Sequence, residues 1–72
     1  MPDNSLHKKV GKRIQEIRNL KGMSQQELAD KCNFEKSNMS RLEAGGVNAT
    51  LSTIEKVSHA LGVHISELFQ FQ

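Results

Sequence analysis

Two short amphipathic segments, separated by only a few residues, constrain the fold of this chain most strongly. The first segment begins at Ser24-Gln25-Gln26-Glu27, a capping box in which the Ser24 hydroxyl and the Glu27 carboxylate can each accept a backbone N–H of the other residue. The segment ends at Asn33, which tolerates the left-handed conformation of a tight turn. Apolar residues recur at helical spacing in both segments: Leu28, Ala29, Cys32, Met39 and Leu42.

Ala29 is the small residue that two closely crossing helices require. A side chain larger than a methyl group would push such helices apart. Met39 follows ten positions later, where an apolar side chain of the second helix is needed. The sequence therefore predicts two helices joined by a turn over about residues 24 to 45, the second running from about 36 to 44.

Helical periodicity also extends on both sides of this motif, and no segment alternates as a strand does. The first helix has its predicted cap at Asn4 or Ser5 and ends at Gly22, and a fourth helix lies between Thr50 and Gly62. A brief turn at about 65 to 69 follows. The inward positions of the two outer helices are Leu6, Val10, Ile14 and Ile17, then Leu51, Ile54, Val57 and Leu61.

Composition agrees with a small folded domain. Of the 72 residues, 36% are hydrophobic and 25% are charged, which is a globular balance. A domain of this size buries a modest core and often gains stability by association. We expect one all-α, five-helix domain over residues 1–72, with loose ends at 1–4 and 70–72.

Charge is unevenly distributed along the chain. Residues 1–41 contain nine of the ten lysines and arginines and five of the eight acidic residues, a balance of +4, whereas the remaining residues sum to −2. The N-terminal part is therefore the part expected to face an anion.

Several classes of function find no support in the residues. Cys32 is the only cysteine, so an intrachain disulfide is excluded, and His7, His59 and His64 lack the spacing of metal ligands. Neither a signal peptide nor a membrane span is evident. We expect a cytoplasmic protein without metal or cofactor, and neither an enzyme nor a binder of small-molecule substrates, since no catalytic constellation is present.

Three blocks of sequence resemble the Cro/C1-type (Xre) helix-turn-helix family. They occur in the family's order and spacing over roughly residues 10 to 69. The resemblance implies a lambda-repressor-like domain of five helices, usually dimeric, that binds operator DNA and controls transcription. The blocks are Met23-Ser24-Gln25-Gln26-Glu27-Leu28-Ala29, Met39-Ser40-Arg41-Leu42-Glu43-Ala44-Gly45 and Ala60-Leu61-Gly62-Val63.

By this resemblance, base edges are read from the helix at about 36 to 44. The predicted readers are Glu35, Lys36, Ser37, Ser40 and Arg41. Arg41 can offer a bidentate donor pair to guanine O6 and N7. Glu35 departs from the family, which commonly has a small polar cap there; its charge would repel phosphate, so we expect it either to contact a cytosine amino group or to orient Lys36 or Arg41.

The resemblance also assigns residues to the DNA backbone and to the architecture. Ser24 and Gln25 match phosphate-binding positions at a helix N-terminus, and Asn38 and Asn48 are further candidates for backbone contacts. A structural salt bridge is implied between Arg18 and Glu43. The C-terminal apolar residues, whose simpler alternative role is to close the core, are expected to form a dimer interface. Those four residues are Ile65, Leu68, Phe69 and Phe71.

The main prediction is a homodimer that binds a palindromic operator in double-stranded DNA and acts as a repressor or autoregulator. Two alternatives remain open. The chain could be an antitoxin that binds a protein toxin as well as operator DNA, or a restriction-modification controller. The neighbouring reading frames would distinguish these settings.

Overall fold

Four α-helices and one 3-10 helix follow one another along residues 5–71, the part of the chain that the computed structural model describes. No strand occurs within these residues. The all-α prediction is confirmed, although the fifth segment is a 3-10 helix rather than an α-helix. The elements are α1 (Ser5–Leu20), α2 (Gln25–Cys32), α3 (Lys36–Ala44), α4 (Leu51–Leu61) and the 3-10 helix Ile65–Phe69.

The helix ends are set by local hydrogen bonds that the sequence predicted. The capping box of α2 is complete: the Glu27 amide donates to Ser24 Oγ at 3.0 Å, and the Ser24 amide donates to Glu27 Oε1 at 2.7 Å. Thr50 caps α4 by accepting the Thr53 amide, and Gly62 ends it in a left-handed conformation. The predicted cap at Asn4 lies outside the described residues, as do the predicted loose ends 1–4 and 72.

The core lies where the helices meet: α1 packs on α3 and on the 3-10 helix, α2 packs on α3 and α4, and α4 also contacts the 3-10 helix. Ala29 is fully buried, as a close crossing of α2 and α3 requires. The buried apolar residues are Val10, Ile14, Ile17, Leu28, Ala29, Cys32, Met39, Leu42, Ile54, Val57, Leu61 and Leu68.

Two leucines predicted to face inward lie on the surface instead. Leu6 is 56% exposed and Leu51 is 78% exposed. Both leucines lie in the first turn of their helices, where the apolar face extends beyond the part of the helix that packs on the core. Together with Phe69 they line an apolar groove of about 240 Å³.

Leu68 and Phe71 also differ from expectation. Leu68, predicted as a possible interface residue, is fully buried, because the 3-10 helix closes the core against α1 and α4. Phe71, predicted to lie in a loose end, packs against the core, and Lys9 Nζ lies 5.7 Å from the centroid of its ring. Burial of the large apolar Phe71 ring stabilises this position of the chain end, which a polar side chain would not do.

Gly11 is a structural residue that the sequence reading did not single out. It lies in α1, where a Cβ atom would come within 2.5 Å of the carbonyl oxygens of Leu42 and Glu43. Glycine therefore lets α1 approach the C-terminal end of α3 closely. The available signal was an isolated glycine within a helical pattern.

Candidate nucleic-acid interface

Helix α3 separates structural side chains from side chains that are free to meet a ligand. Met39, Leu42 and Glu43 are buried. The five predicted base readers, by contrast, are all exposed: Glu35, Lys36, Ser37, Ser40 and Arg41. The structure thus brings these residues together on and beside one short helix, with donors and acceptors facing solvent.

The turn before α3 fixes the angle at which this helix is presented. Asn33 adopts φ 60°, in the left-handed region, as predicted. Its amide donates to the Asp30 carbonyl at 3.1 Å, and the Phe34 amide donates to the Ala29 carbonyl at 2.8 Å. These bonds satisfy two of the last carbonyls of α2 and hold the chain in one path toward α3.

A buried ion pair anchors the other end of α3 to α1. Arg18 Nε donates to Glu43 Oε2 at 2.7 Å and Arg18 Nη2 donates to Glu43 Oε1 at 3.0 Å. The two side chains are only 10% and 4% exposed. Arg18 Nη1 also donates to the Met23 carbonyl at 2.9 Å. The bidentate geometry is the one in which a buried charge pair is best compensated for its loss of water.

Gln25 has a role in this network that the sequence reading missed. Its Nε2 donates to Glu43 Oε1 at 3.0 Å, so the side chain assigned to the DNA backbone is tied to the buried carboxylate. An amide nitrogen carries two hydrogens, which leaves one available to another acceptor. Neighbouring Ser24 is exposed at the N-terminus of α2, where backbone N–H groups and the helix dipole favour an anion.

The other candidate residues on this surface differ in their surroundings. Asn38 Oδ1 accepts a hydrogen bond from Arg41 Nη2 at 2.7 Å. Asn48 is exposed in the loop between α3 and α4. Glu35 is the N-cap of α3 but makes no side-chain capping bond, and within the described residues it forms no ion pair with Lys36 or Arg41.

Cys32 is a buried free thiol in the described part of the chain. Burial raises the pKa of the Cys32 thiol, and Lys56 opposes this shift only in part. No group of three or more candidate metal ligands occurs among the residues described. No helix in residues 5–71 is long and apolar enough to cross a membrane.

The comparisons with known proteins agree with this arrangement. A family model described as helix-turn-helix (HTH_3) matches residues 14–68. Control protein C.BamHI of Bacillus amyloliquefaciens is 38% identical over 69 residues, which are 94% of this chain and 85% of that protein. The immunity repressor protein of Bacillus phage phi105 is 39% identical over 59 residues, but this chain spans only 41% of its length.

A solved structure extends the likeness from sequence to three dimensions. The crystal structure of the restriction-modification controller protein C.AhdI from Aeromonas hydrophila has a TM-score of 0.83 and 37% identity, over 86% of this chain and 94% of that one. Sequence, motif geometry and fold therefore agree. The chain belongs to the Cro/C1-type (Xre) helix-turn-helix family of DNA-binding transcriptional regulators.

Proposed function

We propose that this regulator binds double-stranded DNA as a homodimer and inserts α3 into the major groove of each half of a palindromic operator. The observation that carries the proposal is the exposed face of α3, on which Lys36, Ser37 and Arg41 stand opposite buried Met39 and Leu42. A helix held rigidly from behind can place side chains against base edges in a fixed register.

The roles within the interface follow from donor chemistry. Arg41 reads a guanine through two donors, and Lys36 either reads a second guanine or holds a phosphate. Ser37 and Ser40 supply hydroxyls to adjacent base edges, and Glu35 accepts from a cytosine amino group. Each of these groups is exposed in the free protein.

The DNA backbone is held from the start of α2 and from the loop after α3. Ser24 and Gln25 lie at a helix N-terminus, where the dipole attracts phosphate, and Asn48 lies beyond the end of α3. Contacts of this kind fix affinity and register rather than sequence preference.

The dimer forms through exposed apolar residues, which we name the apolar edge. Leu6, Leu51 and Phe69 line one groove, and exposed Ile65 belongs to the same 3-10 helix as Phe69. Leu68, which is buried in the core, is not part of it. A two-fold axis at this edge would present two copies of α3 about one helical turn of DNA, roughly 34 Å, apart.

The biological setting that fits best is control of a restriction-modification system. The chain matches most of the length of C.BamHI and of C.AhdI, whereas it spans less than half of the phage repressor. In this setting we expect the protein to act in the cytoplasm as a regulator of its own promoter. Binding of a protein toxin is the competing setting, and the experiment below distinguishes the two.

The test is selection of duplex DNA from a randomised pool, followed by footprinting of the DNA upstream of the gene. We expect enrichment of a pseudo-palindrome that is also protected upstream of the gene, beside restriction and methyltransferase reading frames. The Arg41→Ala variant is the matched control and should lose preference at one base pair per half-site. Absence of any enriched sequence would contradict the proposal, and a toxin reading frame next to the gene would favour the antitoxin setting.

A further inference from the structure

Asn38 and Arg41 are joined side chain to side chain on the exposed face of α3. The Arg41 Nη2 group donates to Asn38 Oδ1 at 2.7 Å, across one turn of the helix. Both residues are exposed, so burial in the core does not force the contact. We propose that Asn38 is a positioning residue that fixes the Arg41 guanidinium for base reading, rather than a contact to the DNA backbone; this inference rests on the proposed function.

The bond leaves the guanidinium able to read a base. A guanidinium has five N–H donors in a rigid plane. Asn38 accepts one of the hydrogens on Nη2, and four donors remain for guanine O6 and N7. One fixed donor therefore sets the direction of the plane without using up the pair that recognises the base.

A neutral acceptor has an advantage over a carboxylate at this position. Arg41 has no ion-pair partner within the described residues, whereas the charge of Arg18 is neutralised by Glu43. A carboxylate in place of Asn38 would orient Arg41 equally well, but it would cancel the positive charge and repel phosphate. Asparagine therefore orients the Arg41 guanidinium and leaves its positive charge available to DNA.

The energetic consequence is pre-organisation. A free arginine side chain loses rotamer freedom when it docks, and a side chain that is already held loses less. Immobilisation of one such side chain corresponds to about a two- to tenfold change in affinity. This gain in affinity applies only to DNA on which Arg41 contacts its base, which is the operator.

A double-mutant cycle separates positioning from direct contact. The probes are the duplex that the wild-type protein enriches from a randomised pool and a scrambled duplex of the same composition. Asn38→Ala should weaken binding to the enriched duplex by about two- to tenfold and leave the scrambled duplex unaffected. In the Arg41→Ala background, Asn38→Ala should change neither affinity.

The matched control is Asn48→Ala, because Asn48 is an exposed asparagine outside α3. That variant should weaken both duplexes alike. If Asn38→Ala weakens both duplexes equally, and still does so in the Arg41→Ala background, Asn38 contacts the backbone and the positioning role is overturned. Alanine favours helix formation, so the Asn38→Ala variant should fold.

Relaxation of the arginine Nε–H groups tests the same inference without DNA. The chain has three arginines, and two of them provide internal references: Arg18 Nε donates to Glu43 and Arg13 Nε donates to the Glu67 carbonyl. Asn38→Ala should lower the order parameter of Arg41 alone. An unchanged value for Arg41 would overturn the proposal, whereas failure to enrich any duplex would count against the proposed function and leave this measurement intact.

Discussion

Glu43 holds the C-terminal end of α3 through hydrogen bonds from two other parts of the chain. Arg18 donates twice from α1, and Gln25 donates once from the start of α2. The same carboxylate therefore links the helix proposed to read bases with the residue proposed to hold a phosphate. A neutral or shorter side chain at this position would free both.

Removal of Arg18 should strongly destabilise the fold, because Arg18 and Glu43 form a buried ion pair. Arg18→Met would leave the Glu43 carboxylate buried without its main partner, and we expect a loss of about 3–5 kcal/mol in the free energy of unfolding. Urea unfolding followed by circular dichroism measures this loss. Arg13→Met, which breaks a half-buried bond to the Glu67 carbonyl, is the control and should cost less; equal losses would contradict the role of Glu43.

Cys32 should make the free energy of unfolding decrease as the pH rises into the alkaline range. Burial raises the pKa of its thiol above the usual 9.0, so the folded state holds the proton more tightly than the unfolded state does. The stabilisation that the protonated Cys32 thiol gives the folded state is complete below the ordinary thiol pKa. It is lost as the pH rises through the higher pKa of the folded state. The free energy of unfolding of the wild type should therefore fall more steeply above about pH 9 than that of Cys32→Ala. Parallel curves would show that the thiol is not responsible.

At the scale of elements, the start of α2 and the turn after it could be predicted because their signals are local. Ser24, Glu27 and Asn33 act within a few residues of themselves. The link from Gln25 to Glu43 spans 18 positions and depends on how three helices meet, which no local pattern encodes. The Arg18–Glu43 pair was accessible only through the family resemblance.

Periodicity likewise located the apolar faces but not their limits. Leu6 and Leu51 follow the helical spacing and yet lie outside the core, because the face continues into the first turn of each helix beyond its neighbours. Four of the proposed base readers could be placed on the face of α3 that points away from the core, because the spacing of Met39 and Leu42 marks the inner face of that helix. These four are Lys36, Ser37, Ser40 and Arg41. The bond between Asn38 and Arg41 is a choice of rotamer that the sequence left open.

Gly11→Ala tests how closely α1 and α3 must approach. Alanine stabilises an isolated helix by about 1 kcal/mol relative to glycine. Here, however, its Cβ would lie 2.5 Å from two backbone carbonyl oxygens of α3, so we expect a net destabilisation of about 1–3 kcal/mol in urea unfolding. Gly46→Ala is the matched control, because its Cβ would meet its nearest atom at an ordinary 3.6 Å. A stabilised Gly11→Ala variant would mean that the helices can separate without cost.

At the scale of the whole molecule, the proposed binding to a palindrome requires the apolar edge as well as α3. A dimer would carry two copies of α3 at a fixed spacing and could contact both half-sites at once. A monomer should bind each half-site weakly, and it should bind the full palindrome no more tightly than a half-site. The need for the apolar edge can be tested, because the edge contains a large side chain that can be replaced without disturbing the packing of the core. Leu51 is 78% exposed in the first turn of α4.

Leu51→Glu should therefore leave the fold intact and abolish the dimer. Two carboxylates brought together at a two-fold axis repel each other, whereas a carboxylate at the N-terminus of α4 suits the helix dipole. Leu20→Glu adds the same charge at an equally exposed leucine, 83% accessible at the end of α1 and away from the edge. Sedimentation equilibrium should find a monomer only for Leu51→Glu, and that variant alone should lose cooperative binding to the full palindrome. A dimer that survives Leu51→Glu, or one that Leu20→Glu also disrupts, would place the interface elsewhere on the molecule.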